Sequence, residues 1–154
     1  MDYMLEAKKE ADKNLTLNEG GPFGAVIVKN GQIVGRGHNK VLKNTDPTCH
    51  AEMEAIRDAC QRLGTHDLTG SELYTSCYPC PMCLSASIWA NIHKIYYGNT
   101  AEDAADIGFK DEKIYDFIKG NCKDKGMVEL AQLNRDTTIE TFAKFAQKSD
   151  KKMY

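Results

Sequence analysis

Two short clusters in this chain bring together residue types that do chemistry. His50-Ala51-Glu52 supplies an imidazole and a carboxylate, and Pro79-Cys80-Pro81-Met82-Cys83 supplies two thiols about thirty residues further on. One imidazole and two thiolates can hold a zinc ion and leave its fourth tetrahedral position open for water. With His50 neutral and Cys80 and Cys83 as thiolates, a Zn2+ site is near neutral, so a bound water stays acidic, with a pKa of roughly 7. Glu52 is then free to carry protons.

Other chemistries use parts of this pattern. A Cys-x-x-Cys pair alone can be a redox couple, but Pro81-Met82 and the flanking sequence lack a thioredoxin-like setting. Cys77 could join His50, Cys80 and Cys83 as a fourth ligand and close a structural site. It stands at the end of an apparent strand, Glu72 to Ser76, where a thiol is more often packed than ligating. A carboxylate at a helix start can simply answer the helix dipole, worth a few tenths to about 1 kcal/mol. With His50 two residues before it, Glu52 is expected to be catalytic, in an open zinc site.

The elements that must position these groups are readable. Met53, Ala55, Ile56, Ala59 and Cys60 recur at helical spacing, so a helix is expected from His50 to about Leu63. Cys80 and Cys83 fall in the first turn of a second helix, with Pro81 at its first position, where a missing N–H costs nothing. Their i, i+3 spacing puts both thiols on one side. Two helix N-termini aimed at one point would favour thiolate over thiol.

The remaining chain alternates strands and helices. Residues 2–16 read as an amphipathic helix ended by Gly20-Gly21-Pro22. Phe23–Val28 and Gln32–Gly37 read as a hairpin around Lys29-Asn30-Gly31. Further strands are expected at Glu72–Ser76, Lys94–Gly98 and Met127–Leu133. Short helices are expected over 101–120 and a last helix over Ile139–Gln147. This order implies an α/β layered domain.

At 154 residues and 42% hydrophobic composition, the expectation is one domain, 1–154, with a true core. A net charge of -2 gives no bulk basic footprint for nucleic acid. No apolar run reaches membrane-spanning length and no signal-like stretch opens the chain, so the expected location is cytoplasmic. The six cysteines are read as reduced. Cys49, Cys60 and Cys122 read as packed or surface residues, although Cys49 beside His50 could shape a pocket.

Both zinc half-motifs together are the signature of zinc nucleobase deaminases. The chain resembles the cytidine deaminase-like superfamily over nearly its whole length, through Gly21-Pro22-Phe23-Gly24-Ala25-Val26-Ile27-Val28, Asp46-Pro47-Thr48, His50-Ala51-Glu52 and Tyr74-Thr75-Ser76-Cys77 before the thiol motif. Within it, the chain most resembles bacterial guanine deaminases. That finer likeness rests on Asp103-Ala104-Ala105, Gly108-Phe109-Lys110-Asp111, Ile114-Tyr115 and the C-terminal Phe145-Ala146 and Lys151-Lys152-Met153-Tyr154.

The resemblance implies a three-layer α/β/α fold with a mixed five-stranded sheet, one Zn2+ per subunit, and hydrolysis of guanine to xanthine and ammonia. It implies zinc ligands His50, Cys80 and Cys83 and proton transfer by Glu52. Asp111 would hold the departing amine, unless it only caps the helix before Glu112. Asn39 would bond the substrate ring, unless it only holds loop backbone. Ala51, Phe23 and Trp89 would contact the base, although either aromatic could belong to the core and Trp89 to a subunit interface. Tyr154 would reach an active site although chain ends usually fray. A homodimer is implied, with the segment from about 136 to 154 exchanged between subunits. Tyr78 departs from the pattern, standing where many members carry Glu. The alternatives are a tRNA adenosine deaminase and a cytosine or triazine deaminase. The first would need a basic face, for which Lys8, Lys9 and Lys13 or Lys148, Lys151 and Lys152 are the candidates.

Overall fold

Asn30 and Gly31 both sit at positive φ, 51° and 74°. That pair makes the two-residue turn whose twist matches a right-handed hairpin. It joins β1 (Gly24–Lys29) to β2 (Gln32–His38). The computed structural model describes all residues from 1 to 154. β3 (Ser71–Cys77) pairs antiparallel with the other edge of β1, and β4 (Lys94–Asn99) pairs parallel with β3. The sheet order is therefore β2-β1-β3-β4.

Helices cover both faces. α1 (Tyr3–Asp12) lays Ala7 on Val26 and Val28, with Tyr3, Met4, Ile33 and Tyr74 around them. α2 (Asn14–Leu17) and α3 (Val41–Asn44) are single turns. On the opposite face, α4 (Ala51–Leu63) buries Ala51, Ala55 and Ala59 against Ala25, Ile27 and Leu73. α5 (Pro81–Trp89) follows β3, and the residues after it, Ala90 and Ile92, join the same core. This is the expected three-layer α/β/α arrangement.

α4 lies unusually close to the sheet because both surfaces are small. Its alanines repeat every four residues on one face. Below them run Gly35 and Gly37 of β2. A methyl on Gly35 would come within 2.4 Å of the Ala55 carbonyl oxygen, and one on Gly37 within 2.3 Å of the Ala51 carbonyl oxygen. Backbone-to-backbone packing of this kind fixes where the first turn of α4 can be.

Two compact units divide the chain, Met1–Lys113 and Ile114–Tyr154. The first contains the sheet, α1 to α5 and α6 (Ala101–Asp106), which opens on a capping box between Thr100 and Asp103. The second holds most of α7 (Glu112–Lys119) and all of α8 (Arg135–Gln147). No residue of 114–154 is buried.

The sheet has four strands rather than the expected five. Met127–Leu133 is apolar enough for a strand but pairs with nothing in the chain. Apolar composition marks a segment that could be buried; a strand also needs an edge to bond to.

Gly37→Ala is expected to cost about 1–3 kcal/mol, because α4 must lift off the strand to admit the methyl. Urea unfolding measures it, and a variant as stable as the parent would contradict this packing.

Candidate active site

His50 and Cys80 occupy equivalent places. Each is the residue immediately before a helix, His50 for α4 and Cys80 for α5, in extended backbone conformation. Pro81 takes the first helical position of α5, as the sequence predicts, and Cys83 lies in the same turn. β3 and the short link Tyr78-Pro79 bring α5 to α4. The Tyr78 N–H donates to the Asn99 carbonyl at 2.8 Å, which ties that link to β4.

The three donor side chains meet. Nδ1 of His50 lies 3.5 Å from Sγ of Cys80 and 3.6 Å from Sγ of Cys83. All three donor atoms fall within 4.8 Å of one another. Zinc bonds of about 2.3 Å to sulfur and about 2.05 Å to nitrogen, at a tetrahedral angle, place N and S about 3.6 Å apart. The residues therefore fit zinc without rearrangement.

Their protonation suits the same role. The Cys83 thiol hydrogen-bonds Cys80 and, with His50, lowers Cys80 to about 4. The reciprocal contact and burial push Cys83 up. A cation between them would replace the shared proton. Cys77 is different. Burial lifts it to about 11, and its thiol donates to the Thr100 carbonyl at 3.5 Å. It is outside the donor cluster.

A cavity of about 400 Å3 opens beside these donors, lined by Gly20, Gly21, Pro22, Phe23, Asn39, Val41, Leu42, His50, Glu52, Cys77, Tyr78, Cys80, Phe109 and Asp111. Five of the residues singled out from the sequence and its resemblance thus share one wall system with Cys80: His50, Glu52, Asn39, Phe23 and Asp111. Burial raises the carboxyl of Glu52 above its ordinary range. Burial also raises Asp111, with the Cys80 charge as second cause. Phe23 and Phe109 meet edge to face, their centroids 5.0 Å apart, and make an apolar side.

Asn39 is fixed by its own backbone and by neighbours. Its N–H donates to the Phe23 carbonyl, and its side-chain oxygen accepts from the Val41 N–H at 3.0 Å. The side-chain oxygen being engaged, the amide nitrogen is what Asn39 can offer a ligand.

Three expected residues sit elsewhere. Ala51 is wholly buried against β2 and is absent from the cavity wall. Trp89 ends α5 with 67% exposure, outside the cavity. Tyr154 lies in the second unit with 85% exposure. Cys49 is buried but is not part of the wall either.

The sequence reading missed the groups that hold the wall in place. Asn14 is buried and donates through Nδ2 to the carbonyls of Gly21 and Asn39, both at 2.8 Å, while its Oδ1 accepts from the Glu19 N–H. Glu19 accepts from Lys43 Nζ at 2.7 Å and contacts Nε2 of His38 at 2.6 Å. Lys43, then His38, hold the Glu19 carboxyl down at about 2. The only signal in the sequence is the polar Asn14 in an otherwise amphipathic stretch. Thr75 was also missed as a site residue; its hydroxyl reaches Glu52.

Residues 1–99 match the cytidine and deoxycytidylate deaminase zinc-binding region. The chain belongs to that family of zinc-dependent deaminases. It is 43% identical to the guanine deaminase of Bacillus subtilis over 152 residues, which is 99% of this chain and 97% of that protein. The X-ray structure of guanine deaminase from Bacillus subtilis superposes with a TM-score of 0.90 over 99% of this chain and 96% of that one, at 40% identity. A structure of guanine deaminase from Nitrosomonas europaea matches with a TM-score of 0.67 and 30% identity, over 71% of this chain and 63% of that one. A tRNA-specific adenosine deaminase of Aquifex aeolicus is 44% identical, but over only 62% of this chain and 64% of its own length.

Cys83→Ala is expected to strip zinc from the purified protein, whereas Glu52→Ala should leave metal content unchanged. Elemental analysis decides, and full zinc retention by Cys83→Ala would refute the three-donor site.

Proposed function

We propose that this chain hydrolyses guanine to xanthine and ammonia. The observation that carries the reading is the extent of its likeness to guanine deaminase, 99% of this chain and 97% of that protein. Likeness to tRNA deaminases covers 62%. Asp111, on the cavity wall, lies beyond the family's zinc-binding region at residues 1–99.

His50, Cys80 and Cys83 would hold one zinc ion per subunit, which when bound supplies water acidified to a pKa of roughly 7. Glu52 takes the proton that water loses as its oxygen adds to C2 of the base, and passes it to ring N3. Glu52 then helps deliver the second water proton to the exocyclic amine, and the bond from C2 to that nitrogen breaks as it leaves as ammonia. Asp111, pushed toward its protonated form by burial, holds the amine on its way out. Asn39 donates its amide N–H to an acceptor on the ring, and Phe23 with Phe109 covers the flat apolar surface. Tyr78 forms part of the rim. Ala51 packs the turn that carries Glu52 against the sheet.

We also infer a homodimer that exchanges its C-terminal segment, at least residues 136–154. A unit with no buried residue cannot hold its own shape by burial. It nevertheless carries Leu130, Leu133, Phe142, Met153 and Tyr154, all more than two-thirds exposed. α5 shows Ile88 and Trp89 at 64% and 67% exposure, and nearly all of the edge strand β4 is exposed. A second copy supplies complementary apolar surface to both, with Trp89 at the interface and Tyr154 closing the partner's cavity. Thiolate zinc ligands suit a reducing compartment, the cytoplasm. No helix is long and apolar enough to cross a membrane.

An ammonia-release screen over guanine, adenine, cytosine, cytidine, guanosine and tRNA should give turnover with guanine, and Glu52→Gln should cut it by about 10²–10⁴-fold. Release from cytosine or tRNA but not guanine would overturn the assignment. Light scattering should give a mass twice that of the chain. Deleting Met153 and Tyr154 should lower guanine kcat/KM by up to about 100-fold with zinc retained; unchanged turnover excludes Tyr154 from the site.

A further inference from the structure

Thr75 sits on β3 with 1% exposure, on the buried face of a strand whose residues alternate inward and outward. Its place in the sheet is secured by backbone, opposite Ala25 on one side and Tyr97 on the other. A valine would serve that strand position equally well. The hydroxyl is therefore extra, and a buried hydroxyl is costly unless it is bonded.

That hydroxyl has two acceptors. Oε1 of Glu52 lies 3.0 Å away and the Cys77 carbonyl oxygen 3.1 Å away. A hydroxyl owns one proton, so it donates to one of them at a time. Glu52 is itself only 6% exposed and lies on the cavity wall. Pointing at Oε1, the Thr75 proton pins one oxygen of the carboxyl and leaves Oε2 for chemistry in the cavity. Pointing at Cys77, it frees Oε1 and keeps its own bond. The hydroxyl can follow the carboxyl without ever being left unsatisfied.

We propose that Thr75 is a positioning residue for Glu52, donating to Oε1 so that the proton Glu52 carries rides on Oε2, the oxygen left for the substrate. The inference rests on Glu52 as proton carrier, as set out above. A carboxyl that loses this bond could take the proton on the wrong oxygen or rotate between the two transfers. Both errors slow the chemical step and leave base binding alone, because Thr75 is not among the residues that line the cavity.

The experiment measures kcat and KM for guanine, zinc content and thermal midpoint for Thr75→Val, Thr75→Ser and Thr75→Ala, each with Glu52 intact and with Glu52→Gln. Thr75→Val should keep zinc and KM and lose about 10- to 100-fold in kcat. Thr75→Ser, which restores the hydroxyl, should recover most of it, and Thr75→Ala, which cannot overpack the site, should show the same kcat loss as valine. In the Glu52→Gln background the Thr75 substitutions should add little, since their route to the reaction is gone. Unchanged kcat in Thr75→Val, a loss confined to KM, or a serine variant no better than valine would overturn the proposal. Wild-type turnover by Glu52→Gln would instead sink the proton-carrier reading beneath it.

Discussion

Among the helices that begin without a side-chain cap, α4 and α5 begin on the candidate metal donors themselves. Most helices start with a side chain that bonds an orphan N–H of the first turn, and α1 and α6 do so through Asp2 and Thr100. α4 starts on His50 and α5 on Cys80, and neither side chain makes a capping bond. Each helix forgoes about 0.5–2 kcal/mol by that choice. What is gained is position. A residue at the cap projects beyond the first turn, so two helices brought end to end can put their cap side chains on one point. The dipoles of both helices then favour the thiolates gathered there.

The rest of the first unit serves that convergence. Alanines on α4 and glycines on β2 leave no room for the helix to slide, which fixes His50 and Glu52 along the strand. β3 runs from the sheet centre straight into the thiol turn and on its way places Thr75 under Glu52. A helix start held to such tolerance matters because three donors must agree within tenths of an ångström. Local strain is absent from the arrangement; it is assembled from small side chains and one proline at a position where proline fits.

Legibility followed range. Both helix starts, Pro81, the two halves of the metal trio and the Asn30-Gly31 turn were readable because each depends on neighbours within four residues. Cys77, expected to pack at a strand end, lies outside the donor cluster. Asn14, Glu19, His38 and Thr75 act across separations of 7 to 25 residues. Nothing in the spacing of a lone Asn or Thr announces such a partner. The fifth strand failed for a related reason: Met127–Leu133 is apolar enough for a strand, and composition cannot supply the edge it pairs with. Asp111 came only through the likeness to guanine deaminases, and the structure brings it to the cavity wall beside the donors.

The groups proposed for the reaction lie in one stretch of the chain, and those proposed for the base reach beyond it. The zinc donors, Glu52 and Thr75 all lie within residues 1–99, the extent of the deaminase zinc-binding region. In the proposed reaction those groups would act on an amine-bearing carbon flanked by ring nitrogen, whatever the rest of the ring. Phe109 and Asp111 come after that region, and with Asn39, Phe23 and Tyr78 they form the surfaces a base would touch. A chain built this way can change its base by altering a turn after β4 while the helix starts that generate the nucleophile stay as they are. The two carboxyls illustrate the division. Glu52 sits in the first turn of α4 with one oxygen bonded to Thr75, whereas Asp111 stands half-buried in a turn beyond α6.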